Sequence, residues 1–241
     1  MSILVNVSRP IINWIIPPSC LLCGASAPRS LCLPCYQELP WLNTRCELCA
    51  LPLEVPGTCA HCLEKPPSFA DCVSPFRFAD PVGPLINQFK LRRNQRYGSV
   101  LSAALLERVL AHYPEQKLPQ AIIPVPLHWR RILRRGFNQA TFIGQAVGRQ
   151  LGIPVRSLLR RPHPTPKQQG LNRKQRLGNL KHAFALKAHL VKGNSAMPNH
   201  VALVDDVMTT GATAEAASQV LKHAGVNIID VWVLARTPSP R

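Results

Sequence analysis

No cysteine follows residue 72 in this 241-residue chain, and no carboxylate side chain occurs between residues 116 and 204. Aromatic residues make up only 6%. No apolar run reaches the roughly 18 residues that cross a bilayer. The most apolar stretch, Ile3–Ile16, is broken by Arg9, Pro10 and Asn13 and lacks the charged, apolar and cleavage regions of a secretory signal. These absences point to a soluble cytoplasmic protein. In such a protein Ile3–Ile16 is either a strap packed on the N-terminal module or a short amphipathic contact at the inner face of the membrane. The hydrophobic content of 46% suffices for a folded core and excludes wholesale disorder.

Acidic residues are scarce: 12 Asp and Glu stand against 29 Lys and Arg, a formal net charge of +17. Residues 1–76 are near neutral, with 4 basic and 5 acidic side chains, whereas residues 77–197 hold 22 basic and 3 acidic ones (Asp80, Glu107, Glu115). A field segregated in this way attracts phosphorylated small molecules or polyanions such as single-stranded DNA.

Eight of the nine cysteines form four CxxC pairs: Cys20/Cys23, Cys32/Cys35, Cys46/Cys49 and Cys59/Cys62. The two thiolates of a CxxC knuckle reach one ion, and two knuckles close a tetrahedral four-thiolate site. Two structural zinc ions follow. Internal duplication favours sequential pairing, with Cys20, Cys23, Cys32 and Cys35 on one ion and Cys46, Cys49, Cys59 and Cys62 on the other. A cross-braced pairing is the alternative. With every position filled by sulfur, catalysis at zinc is not expected. Cys72 reads as an ordinary thiol. The expected division is an N-terminal segment with two zinc ribbons over residues 1–72, and an α/β domain over 73–241.

The second part alternates apolar strands and amphipathic helices, which implies a mostly parallel sheet with helices on both faces. Helical spacing covers Pro84–Leu110, interrupted by a basic turn at Lys90–Gly98, and resumes over Asn138–Leu151. Strands are expected at Gln120–Val125, Val155–Leu159, Ala183–Leu186, His200–Val204 and Asn227–Ala235, with a helix at Thr213–Ala224. Pro126–Phe137 reads as an arginine-rich loop. The segment Arg160–Asn179, rich in proline, glycine and basic residues, reads as a mobile one.

The chemistry concentrates in Val201–Thr213, VALVDDVMTTGAT. A buried strand delivers Asp205 and Asp206 to its carboxyl end, where a hydroxyl-rich turn opens a helix. Amides of Thr209, Thr210, Gly211, Ala212 and Thr213 suit a phosphate at the helix N-terminus, and Gly211 permits close backbone approach. Two ionised carboxylates are pure acceptors that match a vicinal diol. Diol acceptors beside a phosphate cradle describe a ribose 5-phosphate. An ordinary capped strand–turn–helix accounts for one carboxylate, not two.

This segment resembles the signature of type I phosphoribosyltransferases, which bind phosphoribosyl pyrophosphate (PRPP). Taken with the cysteine knuckles, the stretch IIPVPLHWRRILRRGFNQA (122–140) and the stretch RPHPTPKQQGLNRKQRLGNLKHAF (161–184), the whole chain resembles the ComF/GntX family. The resemblance implies a type I phosphoribosyltransferase-like fold behind a double zinc ribbon, PRPP with Mg²⁺ as ligand, and a role in DNA uptake, for transformation or nutrition, with uptake machinery among its partners. It places Asp205 and Asp206 on the ribose hydroxyls and Thr209–Thr213 on the 5′-phosphate. Arg130, Arg131, Arg134 and Arg135 fall in the pyrophosphate loop, and Arg173, Lys174 and Arg176 in a flexible loop that closes over the site.

An active transferase would displace pyrophosphate at the anomeric carbon with an unidentified base or amine. Its acceptor hood would come from residues 75–118 or from the zinc module. Asp230 is a candidate general base only by default, and otherwise a surface residue. The alternatives to an active enzyme are a DNA-handling protein that keeps PRPP as a ligand, and a PRPP-sensing regulator.

Overall fold

The computed structural model describes residues 19–27, 30–92, 94–114, 117–162, 183–188 and 196–238. It divides into two compact units, Met1–Leu39 and Pro40–Arg241. The division falls between the first and the second pair of knuckles.

The first unit holds Cys20, Cys23, Cys32 and Cys35, with a short helix α1 (Leu33–Gln37) starting directly after Cys32.

The second unit is built on a parallel sheet. Its strands are β1 (Asp71–Val73), β2 (Phe76–Arg77), β3 (Ala121–Pro124), β6 (His200–Met208) and β7 (Ile228–Arg236). The spatial order is β1-β7-β6-β3, with β2 continuing along β7. Val155 adds a single parallel bridge to Ile122 at the far edge, where a full strand was expected. The separate strands β4 (Leu159–Arg160) and β5 (Ala185–Leu186) pair antiparallel.

Successive side chains point to opposite faces of the sheet, and both faces are buried. Ala121, Ile123, Val201, Leu203, Ile229, Val231 and Val233 belong to one hydrophobic cluster with Ala214, Ala217 and Leu221 of α7 (Ala212–His223). Cys46, Cys49, Cys59, Cys62, Leu42 and Phe69 belong to the same cluster. The second pair of knuckles, with its short helix α2 (Ala60–Glu64), is thereby part of the α/β core, which explains where the compact units divide. Polar links reinforce it. Arg45 donates to the Cys72 carbonyl at 2.7 Å and pairs with Asp71 at 3.6 Å. The Ser68 amide and hydroxyl both donate to Glu215, at 2.8 and 2.6 Å.

The opposite face packs under α4 (Gln95–His112) and α6 (Gln139–Leu151), and α3 (Val82–Arg92) packs against α4. The basic stretch from Lys90 does not open a long turn. Helix α3 runs through Arg92, and Asn94 caps α4 by accepting from the Arg96 amide at 3.1 Å. Gly98 is fully within α4, and a Cβ there would overlap the Phe89 and Phe142 rings.

Two elements beside the site depart from the sequence pattern. Residues 129–135 are a helix, α5 (Trp129–Arg135), capped by His128 and closed by Gly136 at φ 81°. The run WRRILRR contains neither Gly nor Pro, and arginine, leucine and isoleucine all tolerate a helix. Strand β6 runs past Val204 to Met208, because β7 offers partners beyond the carboxylates: Asp205 faces Val233, Val207 faces Ala235 and Met208 faces Arg236.

Candidate functional site

Asp205 and Asp206 lie in the last turn-ward residues of β6, at the carboxyl end of the sheet, where open α/β sheets bind ligands. Burial pushes the Asp205 carboxyl up to about 7, with the like charge of Asp206 adding to it. The Asp206 amide donates to Asp205 Oδ1 at 2.8 Å. Asp206 is held by a cation that the sequence did not single out: Lys90 Nζ, from the end of α3, lies 2.9 Å from Asp206 Oδ2.

The turn after β6 leads straight into α7. Gly211 is the N-cap at φ 79°, a left-handed conformation that glycine adopts without strain. The Thr210 hydroxyl oxygen accepts from the Ala212 amide at 3.4 Å. The first intrahelical bond is Glu215 N–H to the Gly211 carbonyl, at 2.8 Å, so amides at the start of α7 have no acceptor within the helix. Thr209 is exposed, Thr210, Gly211 and Thr213 are half-buried, and Ala212 is buried.

The four arginines of the 130–135 segment divide by helical spacing. Arg131 and Arg135, four residues apart, are half-buried, while Arg130 and Arg134 are exposed. Arg135 is drawn into the field of both Asp205 and Asp206 and bonds Gln139 Oε1 at 3.1 Å. Burial lowers the affinity of its guanidinium for the proton, against the pull of the two carboxylates. Arg161, also missed in the sequence, lies near Arg131 and Asp205 and stacks on Phe184 at 5.2 Å. Both missed cations fall in basic segments noted from the sequence. Arg173, Lys174 and Arg176 lie outside the described residues.

On the outer face of α5, Trp129 and Leu133 are 57% and 72% exposed, and the Arg130 guanidinium sits over the Trp129 ring at 5.3 Å. This is an apolar and basic surface on one short element.

Asp230 is not a surface residue. It is buried in β7, level with Ala202 and so away from the carboxyl end, and accepts from the Tyr113 hydroxyl at 2.7 Å. His200 Nε2 lies 2.7 Å from the same oxygen. These partners make it a structural anchor. Cys72 is wholly buried, which pushes its thiol up to about 12.

The cysteines assemble sequentially. Within Cys20, Cys23, Cys32 and Cys35, and within Cys46, Cys49, Cys59 and Cys62, all ligand sulfurs lie within 4.8 Å of one another. Cys23 and Cys32 sulfurs are 3.7 Å apart, as are those of Cys49 and Cys59. A tetrahedral zinc with bonds of about 2.3 Å has sulfur–sulfur edges of about 3.8 Å, so both sets fit the ion. Burial works against ionising Cys20 and Cys46, but surrounding backbone amides outweigh it and bring these thiols to about 6 and about 7. The second set is fully buried, and beside it Cys49, Cys62, Pro66, Phe69, Met208 and Thr210 line a cleft of about 90 Å³.

Residues 11–63 match the family described as double zinc ribbon domain. The chain is 36% identical over 226 residues to competence protein F of Haemophilus influenzae, covering 90% of this chain and 96% of that protein. It is 36% identical over 231 residues to the DNA utilization protein YhgH of Escherichia coli K12, covering 92% and 98%. Among solved structures it is similar to a purine phosphoribosyltransferase from Pyrococcus horikoshii, with 21% identity, a TM-score of 0.35, and coverage of 58% of this chain and 72% of that one. No helix among the described residues is long and apolar enough to cross a membrane.

Proposed function

From the premise that this chain belongs to the ComF family of competence and DNA-utilisation proteins, we propose that it binds PRPP with Mg²⁺ at the carboxyl end of β6 and handles single-stranded DNA. One observation supports the first part above all. Two adjacent carboxylates and a glycine-capped helix start share one strand–turn–helix, with Lys90 paired to Asp206 and Arg135 and Arg161 within the field of the carboxylates.

In this reading Asp205 and Asp206 accept from the ribose 2′ and 3′ hydroxyls. Amides of residues 211–213, with the Thr209, Thr210 and Thr213 hydroxyls, hold the 5′-phosphate. Arg131 and Arg135 grip the diphosphate, since guanidinium forks match its oxygens. The adjacent carboxylates fit an oxygen-liganded divalent cation that takes its other ligands from the substrate, and Mg²⁺ when bound supplies charge neutralisation to the diphosphate. Lys90 is placed to move from Asp206 to a phosphate oxygen once hydroxyls replace it. Because Asp205 ionises near 7, affinity rises with pH through that value. Arg173, Lys174 and Arg176 are proposed to close over the diphosphate. Whether bound PRPP is consumed by transfer to an acceptor or is sensed, these same groups hold it.

The test is calorimetric titration of the zinc-loaded full chain with PRPP and MgCl₂ beside Asp205→Asn/Asp206→Asn. Saturable heat in the wild type that the double variant lacks is expected. Equal heats in both, or none in the wild type, overturn the site.

The DNA reading rests on α5. Exposed Trp129 offers a stacking face beside Arg130 and Arg134, the combination that single-stranded nucleic acid uses.

A further inference from the structure

Arg236 ends β7 and is only 5% exposed. Among the described residues no carboxylate pairs with it. Its guanidinium is instead committed to carbonyls at two places. Nε donates to the Cys49 carbonyl at 2.9 Å. Nη1 donates to the Met208 carbonyl at 3.1 Å, to the Thr209 carbonyl, and to the Thr237 carbonyl at 2.9 Å. Cys49 is a ligand of the buried second zinc set. Met208 and Thr209 are the root of the turn that leads into α7.

A buried guanidinium without an anionic partner is costly. The Cys46, Cys49, Cys59 and Cys62 set resolves this. Four thiolates around a dication leave two negative charges, and that centre lies beside Arg236, within the core it shares with Met208 and Ala212. The Cys20, Cys23, Cys32 and Cys35 set lies outside that cluster and is partly exposed.

We propose that zinc in the second set and Arg236 form one latch. The anionic zinc centre retains the buried cation, and the cation fixes the Thr209–Thr213 turn by its root carbonyls. Arg236 is thus a positioning residue, and occupancy of the second zinc site, not the first, sets whether the turn is ordered for a phosphate. The link to ligand affinity rests on the PRPP reading above, whereas the link to the order of the turn does not.

The test is hydrogen exchange of amides 209–214 in the ligand-free full chain, with bound zinc counted and PRPP affinity measured in parallel. Three variants are compared with wild type: Cys59→Ser/Cys62→Ser, Cys23→Ser/Cys32→Ser, and Arg236→Lys, which keeps the charge and removes the fork. The second-site variant is expected to lose one zinc, to exchange at the turn on the order of tenfold faster and to bind PRPP about tenfold or more weakly. Arg236→Lys is expected to keep two zincs with the same faster exchange, and the first-site variant to lose one zinc with exchange unchanged. Should the second-site variant fail to fold, Arg236→Lys decides alone. Wild-type exchange in Arg236→Lys, or equal loosening by the first-site variant, overturns the latch. Faster exchange in a protein whose wild type binds no PRPP leaves the latch standing and removes the PRPP reading instead.

Discussion

At the scale of single residues, Asp205 carries a cost that makes it recognisable. Its carboxyl ionises near 3.8 without the fold and near 7 within it, first because it is buried and then because Asp206 is beside it. Between those values the unfolded chain has released a proton that the folded chain retains, so stability falls as pH rises from about 4 to about 7 and stays lowered above. Asp205→Asn keeps an oxygen to accept from the Asp206 amide and removes the charge. We expect it to be more stable than wild type by on the order of 2 kcal/mol at pH 8, with no difference at pH 4, as measured by urea unfolding. A variant no more stable than wild type at pH 8 would show that the carboxylate is not strained by its surroundings. Destabilised carboxylates of this kind are a common mark of functional sites.

At the scale of elements, α5 joins the two halves of the proposed function. Its Arg131 and Arg135 turn inward and its Trp129, Arg130, Leu133 and Arg134 are exposed. Arg130→Ala/Arg134→Ala should flatten the salt dependence of single-stranded oligonucleotide binding by about 1.4 in log–log slope, two contacts at about 0.7 each. Trp129→Ala should weaken binding by about 1–3 kcal/mol at every salt concentration. Fluorescence anisotropy across a salt series reads both, and an unchanged slope would move the DNA interface elsewhere. The composition of α5 was plain in the sequence, but its helicity was not. Arg130–Arg135 read as a loop because Pro126 and Gly136 bracket them, whereas those residues only bound a helix that His128 caps. The carboxyl ends of the strands were legible for the opposite reason: VALVDD and the following TTGAT place burial, charge and turn chemistry in immediate succession. Lys90 and Arg161 were not legible as site residues, because they reach Asp206 and the field of Asp205 only across long stretches of chain.

At the scale of the whole molecule, the four CxxC pairs gave the eight metal ligands, since ligand spacing is a local property, but left sequential and cross-braced pairing both open until the structure brought the sets together sequentially. They did not give the fact that the second set is built into the α/β core, which depends on contacts of Phe69, Cys72 and Arg236 across long stretches of chain. That merger lets Arg236 link the Cys49 carbonyl to the root of the 209–213 turn. Residues 77–197 carry 22 basic and 3 acidic side chains, a net +19 that suits anionic ligands. The end of β6 is proposed to be a working ribose-phosphate site. A crystal structure of the zinc-loaded chain with PRPP and Mg²⁺ tests it most directly. The ribose hydroxyls are expected on Asp205 and Asp206, the 5′-phosphate on the amides of 211–213, and Lys90 displaced from Asp206. A ligand bound elsewhere on the basic surface, with the Lys90–Asp206 pair intact, would contradict it.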